Sequence, residues 1–277
     1  MNKLSNSRLD SLRNKHKREP EPWIKVGMST CGISAGADKV FNFLTDEIKN
    51  RGLDIAVKKT GCNGLCYAEP IVEVNIPGVP VTVYRNVDEK LSLDIVEKHI
   101  CNKTQIESIK HQIVDDKQIR VVLRNCGKID PENIDDYIGS DGYQGLKKIL
   151  SAGSQESVIS ELKESGLRGR GGGGFPTWMK WNFAKDVEEQ EKYIICNADE
   201  GDPGAYMDRS VLEGDPHSVI EGMLVAGFAT GANKGFFYIR AEYPLAIERV
   251  EKAIEQAKDY GLIAENILET GFNFDIR

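Results

Sequence analysis

The chain has 277 residues, 40% of them hydrophobic and 29% charged, with a formal net charge of −7 at neutral pH. That is enough apolar material for one large or two ordinary globular domains, and the acidic balance argues against nucleic acid as the main partner, since phosphate binding wants clustered basic charge. The longest nearly apolar stretch, Met223 to Ala232, is too short to span a bilayer, no secretory signal is visible, and six cysteines are too few for a disulfide scaffold, which favours a cytoplasmic setting.

Residues 1–20 carry Lys3, Arg8, Arg13, Lys15, Lys17 and Arg18 against Asp10 and Glu19, and the segment 1–22 ends at Pro20-Glu21-Pro22. They read as a basic, frayed tail, the alternative being a helix that docks on an acidic partner subunit. Residues 23–102 read as strand "WIKVGM", helix "GADKVFNFLTDEIKNRG", strand "LDIAVKKT", a hairpin of "PIVEVNI" and "VPVTVYR" across Pro77-Gly78, and helix "EKLSLDIVEKHI". This β-α-β-β-β-α order suggests a small thioredoxin-like domain. Residues 103–134 form a charged connector with a strand-like piece, "IRVVLRN".

From 135 to 165 the spacing predicts helices, the second capped by chemistry at Ser154, Glu156 and Ser157. After a glycine-rich run come a buried strand "EKYIICNADE", a helix "SVIEGMLVAGFATGA", a strand "GFFYIRAEY", a long amphipathic helix from Pro244 to Tyr260, and a last strand "GFNFDIR". Strands returning every ~35 residues with helices between them imply parallel βαβ units and a Rossmann-like α/β layer over 135–277. A final strand with no covering helix after it reads as a truncated polypeptide, the alternative being a C-terminal edge strand.

Three constellations carry chemistry. The first is "SGLRGRGGGGFPTWMKW", residues 165–181. Gly169-x-Gly171-x-x-Gly174 meets the dinucleotide spacing but follows a helix, whereas the Rossmann fingerprint follows a strand. The physics nonetheless suits an anionic, planar ligand. Backbone without Cβ atoms lets it approach, a helix beginning near Trp178 favours phosphate, and Arg168, Arg170 and Lys180 supply charge. The alternative is a flexible hinge loop. The second is "CNADEGDPGAYMDR", where Asn197, Asp199, Glu200 and Asp202 at a strand's C-terminal end can bond ribose or ribityl hydroxyls; a plain acidic turn is the alternative. The third joins Cys31 to Cys62 and Cys66, a spacing that suits an iron–sulfur cluster better than zinc. Cys101, Cys126 and Cys196 stand singly and read as ordinary thiols.

With these segments in order, the chain resembles the NADH-oxidising flavoprotein subunit shared by respiratory complex I, NAD-linked formate dehydrogenases and NADH-dependent [FeFe]-hydrogenases. The likeness runs from about Arg120 to Arg277, and residues 23–102 resemble the thioredoxin-like ferredoxin domain often fused to that subunit. The resemblance implies an α/β fold, thioredoxin-like domain first and an incomplete Rossmann-like FMN/NADH-binding domain after it. It implies that Gly169, Arg170, Gly171, Gly172 and Gly174 line the cofactors, with Lys180 on the flavin side, and that Phe175 and Phe183 flank adenine. Asn197, Asp199 and Glu200 would hold FMN, and Asp202 would lie near the nucleotide. The implied reaction is hydride transfer from NADH to FMN and onward transfer to iron–sulfur clusters within a multi-subunit assembly, the family's [4Fe–4S] cluster belonging to a segment beyond Arg277.

The ferredoxin domain of that family supplies four cysteines for a [2Fe–2S] cluster. Cys62 and Cys66 match one pair; upstream only Cys31 is present, one position away from where the pattern expects a ligand, and Gly27 stands where the other should be. Two readings stay open: three thiolates with an unusual fourth ligand, or a cluster-free domain kept for docking. A non-catalytic fragment is the alternative to an oxidoreductase component. NADH against NADPH is also open, the acidic residues leaning toward NADH because they would repel a 2′-phosphate.

Overall fold

A computed structural model describes residues 4–17, 22–111 and 118–277. The basic N-terminal segment is not frayed. Residues Asn6–His16 form helix α1, whose first turn is closed by the Ser5 hydroxyl accepting the Arg8 amide. Leu4 and Leu9 are buried in the core of the C-terminal half, and Arg13 pairs with Asp141 at 2.5 Å while Asp10 pairs with Lys147 at 2.5 Å. The acidic surface it docks on belongs to this same chain. Lys3, Arg18, Glu19, Pro20 and Glu21 lie outside the described residues.

The N-terminal half follows the expected order with one addition. Strand β1 (Trp23–Gly27) leads into a short helix α2 (Thr30–Ser34), then α3 (Ala37–Asn50), β2 (Ala56–Thr60), β3 (Val72–Asn75), β4 (Thr82–Tyr84) and α4 (Glu89–Asp94), which continues as a π-helical turn to Cys101. The sheet order is β2-β1-β3-β4, with β2 parallel to β1 and β3 and β4 antiparallel, which is a thioredoxin-like arrangement. Val40, Leu44 and Ile48 of α3 recur at helical spacing and bury against Ile24, Val26, Val72 and Val74.

In the connector, residues 119–125 do not form the expected strand, and Ile119 is 92% exposed. The free edge of β4 is already occupied. The amide of His111 bonds the carbonyl of Val83 and that of Arg85 bonds the carbonyl of Ile109, so that edge is closed to 119–125.

The C-terminal half contains α5 (Ile134–Gly139), α6 (Gln144–Ala152), α7 (Gln155–Ser165), α8 (Thr177–Asp186), β5 (Tyr193–Ala198), α9 (Met207–Gly214), α10 (Pro216–Thr230), β6 (Lys234–Ile239), α11 (Pro244–Asp259), β7 (Ala264–Ile267) and β8 (Phe272–Ile276). Ser154 and Ser157 close a reciprocal capping box at α7. The sheet order is β5-β6-β8-β7: β5, β6 and β8 run parallel, and β7, which the sequence pattern does not reveal, is antiparallel to β8. β8 therefore lies inside the sheet and is not an edge strand. Helix α10 crosses it at Gly227, where a Cβ would meet the Phe274 ring at 2.2 Å. Strand β5 is buried on one face only. Ile194, Cys196 and Ala198 face the core, while Tyr193 and Ile195 are exposed, so its continuous apolar run does not mean burial on both sides.

The two halves meet through close backbone and buried polar contacts. A Cβ on Gly61 would stand 2.5 Å from the Cα of Gly214. Around that approach Lys58 pairs with Asp136 at 3.2 Å, Lys59 with Glu132 at 3.1 Å, and the Lys25 ammonium bonds the Lys128 carbonyl at 2.6 Å.

Candidate cofactor and cluster sites

The glycine-rich segment is a loop closed on itself. Helix α7 ends at Gly166 in the left-handed conformation, the Gly169 amide donates to the Phe175 carbonyl at 2.9 Å, and the Thr177 amide donates to the Leu167 carbonyl at 3.1 Å. The Arg168 guanidinium bonds the Gly174 carbonyl at 3.0 Å, so it braces the loop. Beyond that closure, a Cβ placed on Gly171, Gly172, Gly173 or Gly174 would find no atom within 4 Å. These glycines relieve no crowding within the protein. Gly172 and Gly174 have φ of +97° and +59°, which L side chains rarely adopt. The loop delivers the chain to the first turn of α8; the Thr177 and Met179 amides there bond the Leu167 and Pro176 carbonyls, and the positive end of the helix favours an anion. Arg170 and Lys180 are exposed and form no ion pair among the described residues, and Phe175 and Phe183 are also exposed.

The end of β5 divides the acidic residues into two kinds. Asn197, Asp199 and Asp202 are exposed; the Asn197 side chain accepts the Asp199 amide at 3.2 Å, and the Asp199 carboxylate stands 3.8 Å from Arg240. Glu200 is turned inward. Its carboxylate accepts the amides of Met207, Asp208 and Arg209 at 2.5, 3.1 and 3.3 Å and the Tyr243 hydroxyl at 3.4 Å. It thus closes the first turn of α9, with its lone pairs committed to the protein. No hydrogen bond or ion pair links the glycine loop to residues 197–202 among the described residues. An open glycine backbone, a helix N-terminus and two cations without an ion pair among the described residues fit a flavin or dinucleotide phosphate at the glycine loop.

The three cysteines lie together. Cys62 and Cys66 are 3.9 Å apart across a tight loop, the Gly64 amide bonds Cys62 at 3.2 Å, and Cys31 on α2 is close enough to Cys66 for the two thiols to influence each other. Burial raises all three thiol pKa values above the ordinary range, so without a metal they are held as thiols. Among the described residues no group of three or more His, Cys, Asp or Glu is poised around a single metal ion. Cys126 packs singly, its sulfur donating to the Ser210 carbonyl at 3.6 Å. Burial pushes it up to about 12.

Three residues beside the cysteines have no signature in the sequence. Arg209 reaches the Cys31 sulfur at 3.9 Å, stacking on Tyr206 on the way. Glu213, 2% exposed, accepts the amide and hydroxyl of Thr30 at 2.9 and 2.5 Å. Glu69, 7% exposed, forms no ion pair among the described residues; one oxygen accepts the Ile71 amide at 2.9 Å, and burial raises its carboxyl to about 7. Only the contacts across some 40 to 180 residues of chain reveal these roles. A cavity of about 600 Å³ borders this site between the cysteine loop and the connector, lined by Lys25, Glu69, His111, Arg120 and Lys128, and it does not adjoin the glycine loop.

Residues 162–275 match the family model of the Nuo51 FMN-binding domain. That match covers most of the C-terminal half and none of the N-terminal half. The HndC subunit of the NADP-reducing hydrogenase of Solidesulfovibrio fructosivorans is 59% identical over 160 residues, covering 58% of this chain and 32% of the relative. A subunit of the NADH-quinone oxidoreductase of Rhizobium meliloti (strain 1021) is 46% identical over 154 residues, 56% of this chain and 37% of the relative. The chain thus spans about a third of the length of the curated relatives it matches. A crystal structure of an NAD+-reducing [NiFe]-hydrogenase in the air-oxidised state aligns over 98% of this chain and 46% of its own, at 22% identity and a TM-score of 0.44. No helix among the described residues is long and apolar enough to cross a membrane.

Proposed function

We propose that this chain is the nucleotide-oxidising part of a flavoprotein subunit in a multi-subunit, cytoplasmic oxidoreductase. It would hold FMN and NADH at the glycine loop and pass electrons toward iron–sulfur clusters carried by the assembly. One observation carries this reading: within the stretch that matches the Nuo51 FMN-binding domain, consecutive glycines face open space on a loop that closes by its own hydrogen bonds. The relatives' names, a hydrogenase subunit and a quinone oxidoreductase subunit, support partner subunits of either kind. The division into 23–102, 103–134 and 135–277 is our assignment of the working parts.

When bound, FMN supplies a hydride acceptor that can release electrons singly. The protein's share is placement and charge. Gly169, Gly171, Gly172 and Gly174 leave room for ring and pyrophosphate, and Arg170 and Lys180 offset negative charge on phosphate or reduced flavin. Phe175 and Phe183 offer faces to adenine, Asn197 and Asp199 bond hydroxyls, and Asp202 faces the nucleotide. Glu200 acts through α9, fixing the loop from which the others project.

The test is reconstitution of the purified chain with FMN, followed by titration with NADH and then NADPH. Bound flavin bands that bleach with NADH, and dye reduction that depends on it, are the expected results. A chain that binds no flavin, or binds it without bleaching, overturns the reading. Preference for NADPH would overturn the assignment of NADH.

A further inference from the structure

Both carboxylate oxygens of Glu69 stand 3.0 Å from the point where a Cβ on Gly27 would sit, and one lies 3.2 Å from the corresponding point on Gly32, the neighbour of Cys31. A side chain at position 27 and the Glu69 carboxylate therefore compete for the same space. The second Glu69 oxygen has no protein hydrogen bond among the described residues, and the carboxylate lies within electrostatic reach of Cys62. A carboxylate buried this deeply without a cation is costly, and such groups in proteins are paired or bind metal.

We propose that Glu69 is the fourth ligand of a [2Fe–2S] cluster whose other ligands are Cys31, Cys62 and Cys66. The family resemblance expects a ligand at position 27; the structure puts the Glu69 carboxylate in the space that ligand's side chain would take. Because the four ligands serve two irons bridged by sulfide, they need not converge on one point as they would for zinc. Iron would supply the positive charge that the buried carboxylate otherwise lacks. The cluster would also draw a hydrogen bond from Arg209 to the Cys31 sulfur, one of the contacts that set a cluster's potential.

The experiment uses the full chain, reconstituted anaerobically with ferrous iron and sulfide, and it does not depend on flavin binding. Iron, sulfide and zinc are counted per chain, and EPR is recorded after dithionite reduction. The wild type is expected to hold two irons and two sulfides with the EPR signal of a reduced [2Fe–2S] centre. Glu69→Cys is expected to retain the cluster with shifted g-values and visible maxima, since sulfur replaces oxygen. Glu69→Gln should lose iron to a chelator at least tenfold faster, with circular dichroism of the metal-free protein unchanged. Failure of the wild type to bind iron and sulfide, or binding of zinc alone, overturns the proposal. So does a Glu69→Cys spectrum identical to wild type together with unchanged iron release in Glu69→Gln.

Discussion

At the scale of single residues, the glycine loop separates ligand space from structural need. Gly171 has open space where a Cβ would go and no left-handed φ, so a side chain there costs the fold nothing. Gly171→Val should leave the thermal midpoint unchanged and weaken FMN binding about tenfold or more, ~1.4 kcal/mol, in a fluorescence-quenching titration. Equal flavin affinity in the variant would return the loop to a hinge. Glu200 should behave in the opposite way. Glu200→Ala removes the acceptor of three amides at the start of α9 and should cost about 2 kcal/mol in urea denaturation. The glycines were legible because four in succession have no common structural use, and local composition alone exposes them. Glu200 was legible as an acid at a strand end, but not as one turned inward. That depends on α9 folding back over it, a turn that nothing in "CNADEGDPGAYMDR" announces.

At the scale of elements, α10 begins with two buried titratable groups that answer pH in opposite directions. Burial raises the Asp215 carboxyl to about 6, although the Asn125 side chain donates to it at 2.8 Å. Burial also lowers the His217 imidazole to about 4; it accepts from the Tyr143 hydroxyl at Nδ1, 2.8 Å, and donates to Gln256 at 3.1 Å, an arrangement that needs the neutral ring. Asp215, with its folded pKa raised, contributes stability below its unfolded value that is lost as pH rises toward 6. His217, with its folded pKa lowered, contributes stability above its unfolded value that is lost as pH falls toward 4. Between pH 4 and 6 the two largely cancel. Asp215→Asn removes one side of the balance. Denaturation between pH 6.5 and 4 should then show stability falling with acidification by on the order of 3 kcal/mol more than in wild type. A variant with the wild-type pH profile would show that Asp215 is not the opposing group. Of the helices of this half, α11 buries a stripe that recurs every three or four residues and was legible from spacing, whereas α9 was not. Strand-like runs were less secure. "IRVVLRN" has strand composition, but the sheet edge it needed was taken by residues 109–111, and β5 kept an open face that its apolar run concealed.

For the whole molecule, the decisive contact between halves is a single arginine. Arg249 of α11 is 2% exposed and donates to the Glu213 carbonyl and, at 2.7 Å, to the Met28 carbonyl immediately before the cysteine-bearing helix. Its Nε lies 3.7 Å from Glu132, which also receives Lys59 from the N-terminal half and Lys252 from α11. This one side chain therefore links the turn after β1, α9, the connector and α11. No part of it is visible as a motif, since the four segments are spread over 221 residues of sequence separation. Arg249→Met keeps the apolar stem but leaves two buried carbonyls without donors, so coupling between the halves should fall by about 3 to 5 kcal/mol. The expected signature is a calorimetric trace that splits from one transition into two, with protease cleavage appearing in 103–134. Lys252→Ala is the control: it removes an exposed partner of the same Glu132, should cost no more than about 1 kcal/mol and should leave the single transition intact. If Arg249→Met unfolds in one transition within about 2 °C of wild type, the halves are held by Gly61 against Gly214 and the lysine pairs, and the arginine is incidental. If the trace splits, the position of Cys31 beside Arg209 depends on α11 too, and the proposed cluster would take up iron more slowly in the same variant.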